Sequence, residues 1–187
     1  AKAAGEEVTG VIDAFSQAYR AAGQYSSQLE RQVKATKLLG DSLVLSKLST
    51  LDQSGAIDTL TAALLQSNME LDQGSELLNK WVRVSQIAAV DIATLATGTA
   101  VLGDAAENAG LDIDELNALM AVLAKSSISS SKEVANVAKS LVGTYQSAEA
   151  EKVLNRYGIA LRNTSGEIRE FLDIYNQLYE MQKTGLL

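Results

Sequence analysis

The sequence contains no histidine, no cysteine and no proline, and each absence excludes a class of chemistry or structure. Without cysteine the chain has no disulfide framework, no thiol nucleophile and no thiolate metal site. Without histidine it lacks the side chain that most often acts as a general acid, general base or metal ligand near neutral pH. Without proline, the strongest breaker of helices is missing. We therefore expect no cofactor, no metal site and no enzymatic activity.

Positive charge is also scarce, because 16 Lys and Arg stand against 23 Asp and Glu and give a formal net charge of −7. Binding to a phosphate backbone requires clustered positive charge, whereas the basic residues here are scattered. We expect no direct binding to nucleic acid. The most apolar stretch, residues 87–102, is shorter than the ~20 residues that a membrane span requires. No membrane span is expected in this segment.

Carboxylates are what remains for acid-base chemistry, and they occur in small groups. Asp112 and Glu115 are explained more simply as a helix cap, and Asp114 lies in the first turn, where the helix dipole favours a negative charge. Glu149 and Glu151 follow the same rule at another helix start. None of these groups predicts a catalytic pair.

The distribution of apolar residues predicts an all-α protein, because aromatic residues make up only 5% of the chain and the apolar positions recur with helical spacing. We expect one long amphipathic helix over residues 1–40, ending near Gly40. A compact multi-helix domain of short capped helices should follow over residues 41–187, with Asp41 as the cap of the first short helix. At least seven helices are predicted in all.

An apolar stripe on the predicted first helix has no obvious partner within a domain of short helices. Its members are spaced alternately by four and three residues, as in a coiled-coil seam. We expect this stripe to bind another helix, and Ile12, Phe15 and Tyr19 are its candidate interface residues. Trp81, the only tryptophan, is either a core residue, which we favour, or a further interface anchor. The stripe consists of Val8, Ile12, Phe15, Tyr19, Ala22, Ser26, Leu29 and Val33.

Two helix boundaries are especially well marked. Gly110 suits the left-handed position after a helix, and Asp112 with Glu115 forms the capping box of the next helix. Ser130 and Glu133 repeat the capping pattern. The pattern predicts tight corners between consecutive helices.

Further along the chain, Gly158 ends another predicted helix. The segment Asn163-Thr164-Ser165-Gly166 lies between apolar residues and favours a small hairpin or an extended turn over residues 159–169.

Four stretches occur in a distinctive order: AENAG (106–110), LDIDEL (111–116), SKEVANVAK (131–139) and LNRYGI (154–159). With these stretches, the chain from about residue 54 to 178 resembles the core region of tail tape-measure proteins from long-tailed bacterial viruses and related prophages. It departs from the family at 88–90, where a polar cap is common, and at 167–169, where proline often occurs. The signature positions are Gly110, Asp112, Glu115, Leu116, Glu133, Gly158 and Gly166.

The resemblance implies a structural protein that occupies the phage tail tube during assembly and helps to set tail length. Its partners would be copies of itself and other tail proteins, namely the tube, the assembly chaperones and the tail tip. It would be found in the virion tail, and in the host cytoplasm during assembly. A compact domain with many corners adds little length, so an anchoring or assembly module is favoured over the ruler shaft.

Two other functions are compatible with the residues alone. The chain could be a helical interaction module of an unrelated secreted or signalling protein. A lytic enzyme carried in the tail is less favoured, because a cell-wall hydrolase needs a catalytic acid in a cleft.

Overall fold

The computed structural model describes residues 2–125, 130–145 and 147–185. Within these ranges the chain forms nine α-helices, one short 3-10 helix and no strand, which confirms the all-α class. The connections within these ranges are short except for residues 157–170, which join α8 to α9. The helices are α1 (Lys2–Ala21), α2 (Gln28–Leu48), α3 (Gln53–Gln66), α4 (Gly74–Ala88), α5 (Ile92–Asn108), α6 (Ile113–Ala124), α7 (Ser131–Tyr145), α8 (Ala148–Arg156) and α9 (Phe171–Lys183).

Helix α5 is the centre of the fold, since it packs against α3, α4, α6 and α7. Its side chains are mostly alanine, threonine and glycine, and ten of its 17 residues are buried. A helix that is buried on most of its circumference must be apolar or small all round. The composition of α5 therefore reflects its position among four neighbours.

Two glycines of α5 mark the places where neighbouring helices come closest. A Cβ atom at Gly98 would lie 2.3 Å from Met120 Cε on α6, and one at Gly103 would lie 2.6 Å from the Gln66 carbonyl oxygen on α3. Neither distance can accommodate a side chain without movement. These two glycines permit the packing of α5 against α6 and α3.

The amino-terminal region differs from the single helix predicted over residues 1–40. Helix α1 ends at Ala21, a 3-10 helix spans Ala22–Gln24, and α2 begins only at Gln28. The break is stabilised at Ser27, whose hydroxyl accepts a hydrogen bond from the Glu30 amide at 3.5 Å. The expectation of one continuous helix is wrong, because the chain turns here and folds α2 back against α1.

The predicted end near Gly40 is also wrong, because α2 continues through this residue to Leu48. Asp41 consequently lies within α2 and does not cap the short helix that was predicted to begin there. Its side chain is half-buried and packs on the start of α4, where a Cβ atom at Gly74 would lie 2.6 Å from Asp41 Oδ2. Tertiary packing of α2 against α3 and α4 overrides the low helix propensity of one glycine.

The hairpin expected near residues 159–169 is a turn closed by one antiparallel bridge, between Arg162 and Ile168. The Asn163 side chain organises the turn, since its Oδ1 accepts hydrogen bonds from the amides of Ser165 and Glu167 at 2.9 and 3.0 Å. Gly166 has a φ of +85° within this turn. The segment is therefore the extended turn that the sequence predicted, without a strand in the described residues.

Candidate interaction surfaces

The corner between α5 and α6 contains four of the signature residues. Gly110 has a φ of +76°, as predicted for a residue in the left-handed region. Asp112 Oδ1 accepts hydrogen bonds from the amides of Asp114 and Glu115, both at 2.8 Å, and the Asp112 amide donates to Glu115 Oε2 at 2.9 Å. This geometry is the predicted capping box. Leu116 follows it and is buried.

The same corner also holds the start of the last helix. The Phe171 amide donates a hydrogen bond to the Ala109 carbonyl oxygen at 3.3 Å. A Cβ atom at Gly110 would lie 3.2 Å from Glu170 Cα. Glycine is thus required at residue 110 by two independent features, its backbone conformation and the close approach of α9. The sequence predicted only the first of them.

The remaining signature residues lie at three separate places and do not form one site with the corner. Glu133 is in the first turn of α7, where its amide donates to the Ser130 hydroxyl at 3.3 Å. Gly158 follows α8 with a φ of +74°, and Gly166 lies in the bridged turn. Each of them has a local structural role that explains its residue type.

A groove of about 430 Å³ runs beside this corner. It lies between the α3–α4 connection, the first half of α4, the end of α5 and the start of α6. Two of its charged side chains, Lys80 and Glu107, have polar partners. Lys80 Nζ lies 2.8 Å from Asp114 Oδ2, and the Asn68 side-chain amide donates to Glu107 Oε2 at 2.7 Å. The groove thus presents paired polar groups rather than a converging acid and base.

A second polar cluster connects the break between α1 and α2 with the α3–α4 connection. Lys34 Nζ lies 2.8 Å from Asp72 Oδ1 and 3.3 Å from Glu70 Oε2. The Tyr25 hydroxyl donates to Glu70 Oε2 at 2.5 Å, and Lys34 Nζ lies 5.2 Å from the centre of the Tyr25 ring. We call these four residues the Lys34 cluster.

The members of the Lys34 cluster shift one another's pKa values. The hydrogen bond from Lys34 lowers the pKa of the Asp72 carboxyl and, in return, raises the pKa of the Lys34 ammonium. The hydrogen bond from Tyr25, followed by that from Lys34, lowers the pKa of Glu70. Burial raises the pKa of the Tyr25 hydroxyl, and Glu70 raises it further. The cluster therefore stabilises the ionised carboxylates at neutral pH.

Asp41 has the opposite electrostatic environment. Burial raises the pKa of its carboxyl, while the charge of Lys37 and a hydrogen bond with the Ser75 backbone act against this effect. Its Oδ2 atom is buried and has no hydrogen-bond partner among the described residues. The ionised form of Asp41 is therefore disfavoured in the folded chain.

The four candidate interface residues from the sequence separate into exposed and buried positions. Ile12 is 58% exposed, as a partner-binding residue requires. Phe15 and Tyr19 are partly buried and pack against the core, with their ring centres 6.1 Å apart. Trp81 is fully buried, and its indole Nε1 donates to Thr99 Oγ1 at 3.3 Å.

The interface assignment of Trp81 is therefore corrected to the core alternative, because a fully buried side chain offers no surface to a partner. The predicted stripe is divided as well. Its later members Leu29 and Val33 lie on α2 and are 71% and 55% exposed. Val8, the first member, lies outside the side chains that the structure describes.

Membrane-spanning helices and metal-binding clusters are both absent from the part of the chain that the structure describes. No helix among them is long and apolar enough to cross a membrane. Nowhere in the described ranges do three or more Asp or Glu side chains converge in a way that could hold a metal ion.

The fold and its surfaces define a class: an all-helical protein whose outward features are exposed apolar side chains and hydrogen-bonded charges. A family model described as phage-related minor tail protein matches residues 1–185, and the chain belongs to that family. No solved structure matches it. The protein is accordingly a structural component of the phage virion tail, and its partners belong among the other tail proteins.

Proposed function

We propose that this chain is an anchoring or assembly segment of a tail tape-measure protein, which takes part in tail assembly and length determination. The family match over residues 1–185 carries the phage-tail assignment. The finer assignment rests on the ordered series of signature stretches, which the fold places at the α5–α6 corner, the start of α7 and the end of α8. The protein would act in the host cytoplasm during assembly and then remain in the virion tail.

The many corners of the fold favour an anchoring role over a ruler shaft. A helical ruler gains about 1.5 Å for each residue only where the chain is extended. Here the helices fold back on one another, with α5 surrounded by four neighbours. A segment of this shape contributes little length, but it presents defined surfaces to tube, chaperone or tail-tip proteins.

We infer further that the segment acts by association and not by catalysis. Two charged residues of the groove beside the α5–α6 corner, Lys80 and Glu107, have polar partners. The carboxylates of the capping box bind backbone amides. These contacts give structural roles to the acidic residues Glu107, Asp112, Asp114 and Glu115.

The experiment that tests this function changes the length of the segment within its full parent protein and measures tails by electron microscopy. An in-frame duplication of the 187 residues would lengthen a fully extended helical ruler by roughly 280 Å. We expect the duplication to leave tail length nearly unchanged and deletion of the segment to abolish tails. Tails that lengthen or shorten in proportion to the residues added or removed would identify a ruler shaft. Normal tails after deletion would contradict any assembly role.

A further inference from the structure

Helix α2 has two apolar faces, of which the fold uses only one. Ala35, Leu38, Ser42 and Leu45 are buried against the rest of the chain. On the opposite side of the helix, Leu29, Val33, Val44 and Leu48 are 71%, 55%, 46% and 47% exposed. We call these four residues the outer stripe. They lie as two pairs near the two ends of the 21-residue helix and contribute little to the core of the chain.

The middle of the outer stripe is unusually open. Gly40 lies there within the helix, and a Cβ atom built on it would meet nothing within 4 Å. A glycine inside a helix costs about 1 kcal/mol relative to alanine. Neither the backbone conformation nor a neighbour within the chain requires glycine at this position. A side chain of another molecule that occupies this space would account for it.

The spacing of the outer stripe indicates that its partner is α2 of a second copy of this chain. Leu29 and Val33 are four residues apart, as are Val44 and Leu48, so the order of residue types reads the same in both directions. A two-fold interface brings residue i of one copy to residue j of the other, and j to i. Antiparallel pairing of α2 with itself would place Leu29 level with Leu48 of the partner subunit and Val33 level with the partner's Val44.

We propose that the outer stripe is a homotypic interface, through which two copies of this chain pair in an antiparallel manner along α2. In this arrangement the aliphatic stem of Lys37 lies level with the partner's Gly40, where there is room for it. Glu30 is then level with the partner's Lys47. Parallel pairing would instead bring Lys37 level with Lys37 and Lys47 level with Lys47, which like charges oppose.

The size of the outer stripe sets the strength of the interface. Helix α2 is about 30 Å long. Pairing along this length would bury a total area on the order of 1,200 Å², which is the lower end of the range for specific interfaces. We therefore expect a dissociation constant on the order of micromolar. This pairing goes beyond the proposed function, because it depends on the surface of α2 and can be measured without a phage.

Analytical ultracentrifugation of the chain across a concentration series tests the pairing. The unaltered chain should shift from monomer to dimer, whereas the variant Val33→Glu with Val44→Glu should remain a monomer. Val122→Glu is the matched control, since Val122 is 68% exposed on α6. At a concentration at which the unaltered chain is monomeric, circular dichroism should show the same helix content and melting in all three proteins. A monomer at every concentration, or a dimer that survives the double substitution, would overturn the proposal.

The orientation can be tested separately because the chain contains no cysteine. Leu29→Cys and Leu48→Cys chains are mixed and treated with a short bismaleimide cross-linker. Antiparallel pairing predicts a product joining residue 29 to residue 48, and little product joining residue 29 to residue 29, which would be roughly 28 Å apart along the helix axis. Predominant 29-to-29 cross-links would overturn the antiparallel arrangement.

Discussion

Gly110 is constrained both by its backbone conformation and by the close approach of the start of α9. Its φ of +76° favours glycine, and Glu170 leaves little space for a side chain. We predict that Gly110→Ala lowers the free energy of unfolding by about 1–2 kcal/mol or more. Gly143→Ala is the control, because Gly143 lies in α7 with nothing within 4 Å of a Cβ atom.

Urea denaturation followed by circular dichroism would measure both substitutions. In the control, alanine should stabilise the chain by roughly 0.5–1 kcal/mol through its helix propensity. Equal behaviour of the two variants would show that the corner does not depend on the left-handed conformation.

Asp112 provides a second prediction at this scale, because its carboxylate satisfies two amides at the start of α6. We expect Asp112→Ala to cost about 0.5–2 kcal/mol, which is the usual cost of a lost amino-terminal cap. Asp112→Asn should retain most of the stability, since its amide oxygen can accept the same bonds. Thermal melts of the two variants would separate the cap from any effect of charge alone. A full loss in both would contradict the cap.

The boundary between α5 and α6 was predictable from the sequence, because its glycine and its cap lie within a few residues of one another. The break between α1 and α2 was predictable in principle. Ser27 and Glu30 have the spacing of a capping box, a signal that the apolar stripe of the surrounding residues concealed. The Lys34 cluster was not predictable, since Tyr25 and Glu70 are 45 residues apart and meet only through the packing of α2.

At the scale of the elements, the closest helix contacts define a third prediction. Gly103→Ala should cost about 1–3 kcal/mol, because the new Cβ atom meets the backbone oxygen of Gln66 at 2.6 Å and overpacks the crossing. Gly98→Ala should cost less, since its Cβ atom meets the flexible side chain of Met120.

Denaturant unfolding of Gly98→Ala, Met120→Ala and their double variant completes this test. If the two residues share one space, the double variant should be more stable than the sum of the single effects predicts. Strict additivity would show that α5 and α6 adjust independently of this contact.

The Lys34 cluster gives a prediction about pH at the junction of α2 with the α3–α4 connection. Folding lowers the pKa of Glu70 and of Asp72, so the unfolded chain binds more protons than the folded one in acid. Their stabilising contribution is present above the ordinary values of 4.5 and 3.8 and is lost as the pH falls through the lower folded-state values. Lys34→Met should therefore weaken the acid dependence of stability.

The measurement is the urea midpoint of unfolding at several pH values between neutrality and the acid limit. The unaltered chain should lose more stability than Lys34→Met below the ordinary carboxyl pKa values. Lys152→Met, which removes an exposed charge from α8, should retain the acid dependence of the unaltered chain. Parallel pH profiles for all three would contradict the assigned pairing.

At the scale of the whole molecule, the surfaces that could join other tail proteins are not the complete stripe that the sequence predicted. The break between α1 and α2 places some residues of the predicted stripe against the core and others on the surface. Phe15 and Tyr19 are partly buried and pack against the core, because α1 packs on α2 and α3. No local pattern could show this, since it depends on which helices the chain folds back upon.

The final prediction separates the binding role of α1 from its structural role. Ile12→Asp should leave the melting temperature nearly unchanged, because Ile12 is 58% exposed, but should reduce tail assembly when the variant full-length protein is tested by complementation. Phe15→Asp should instead destabilise the fold by about 1–3 kcal/mol, since it places a charge against the core. Val153→Asp, at a residue of α8 that is 49% exposed, is the control for adding a surface charge. Normal tails with Ile12→Asp would remove α1 as an interface and leave α2 as the candidate, because its outer stripe is exposed independently of the α1 surface.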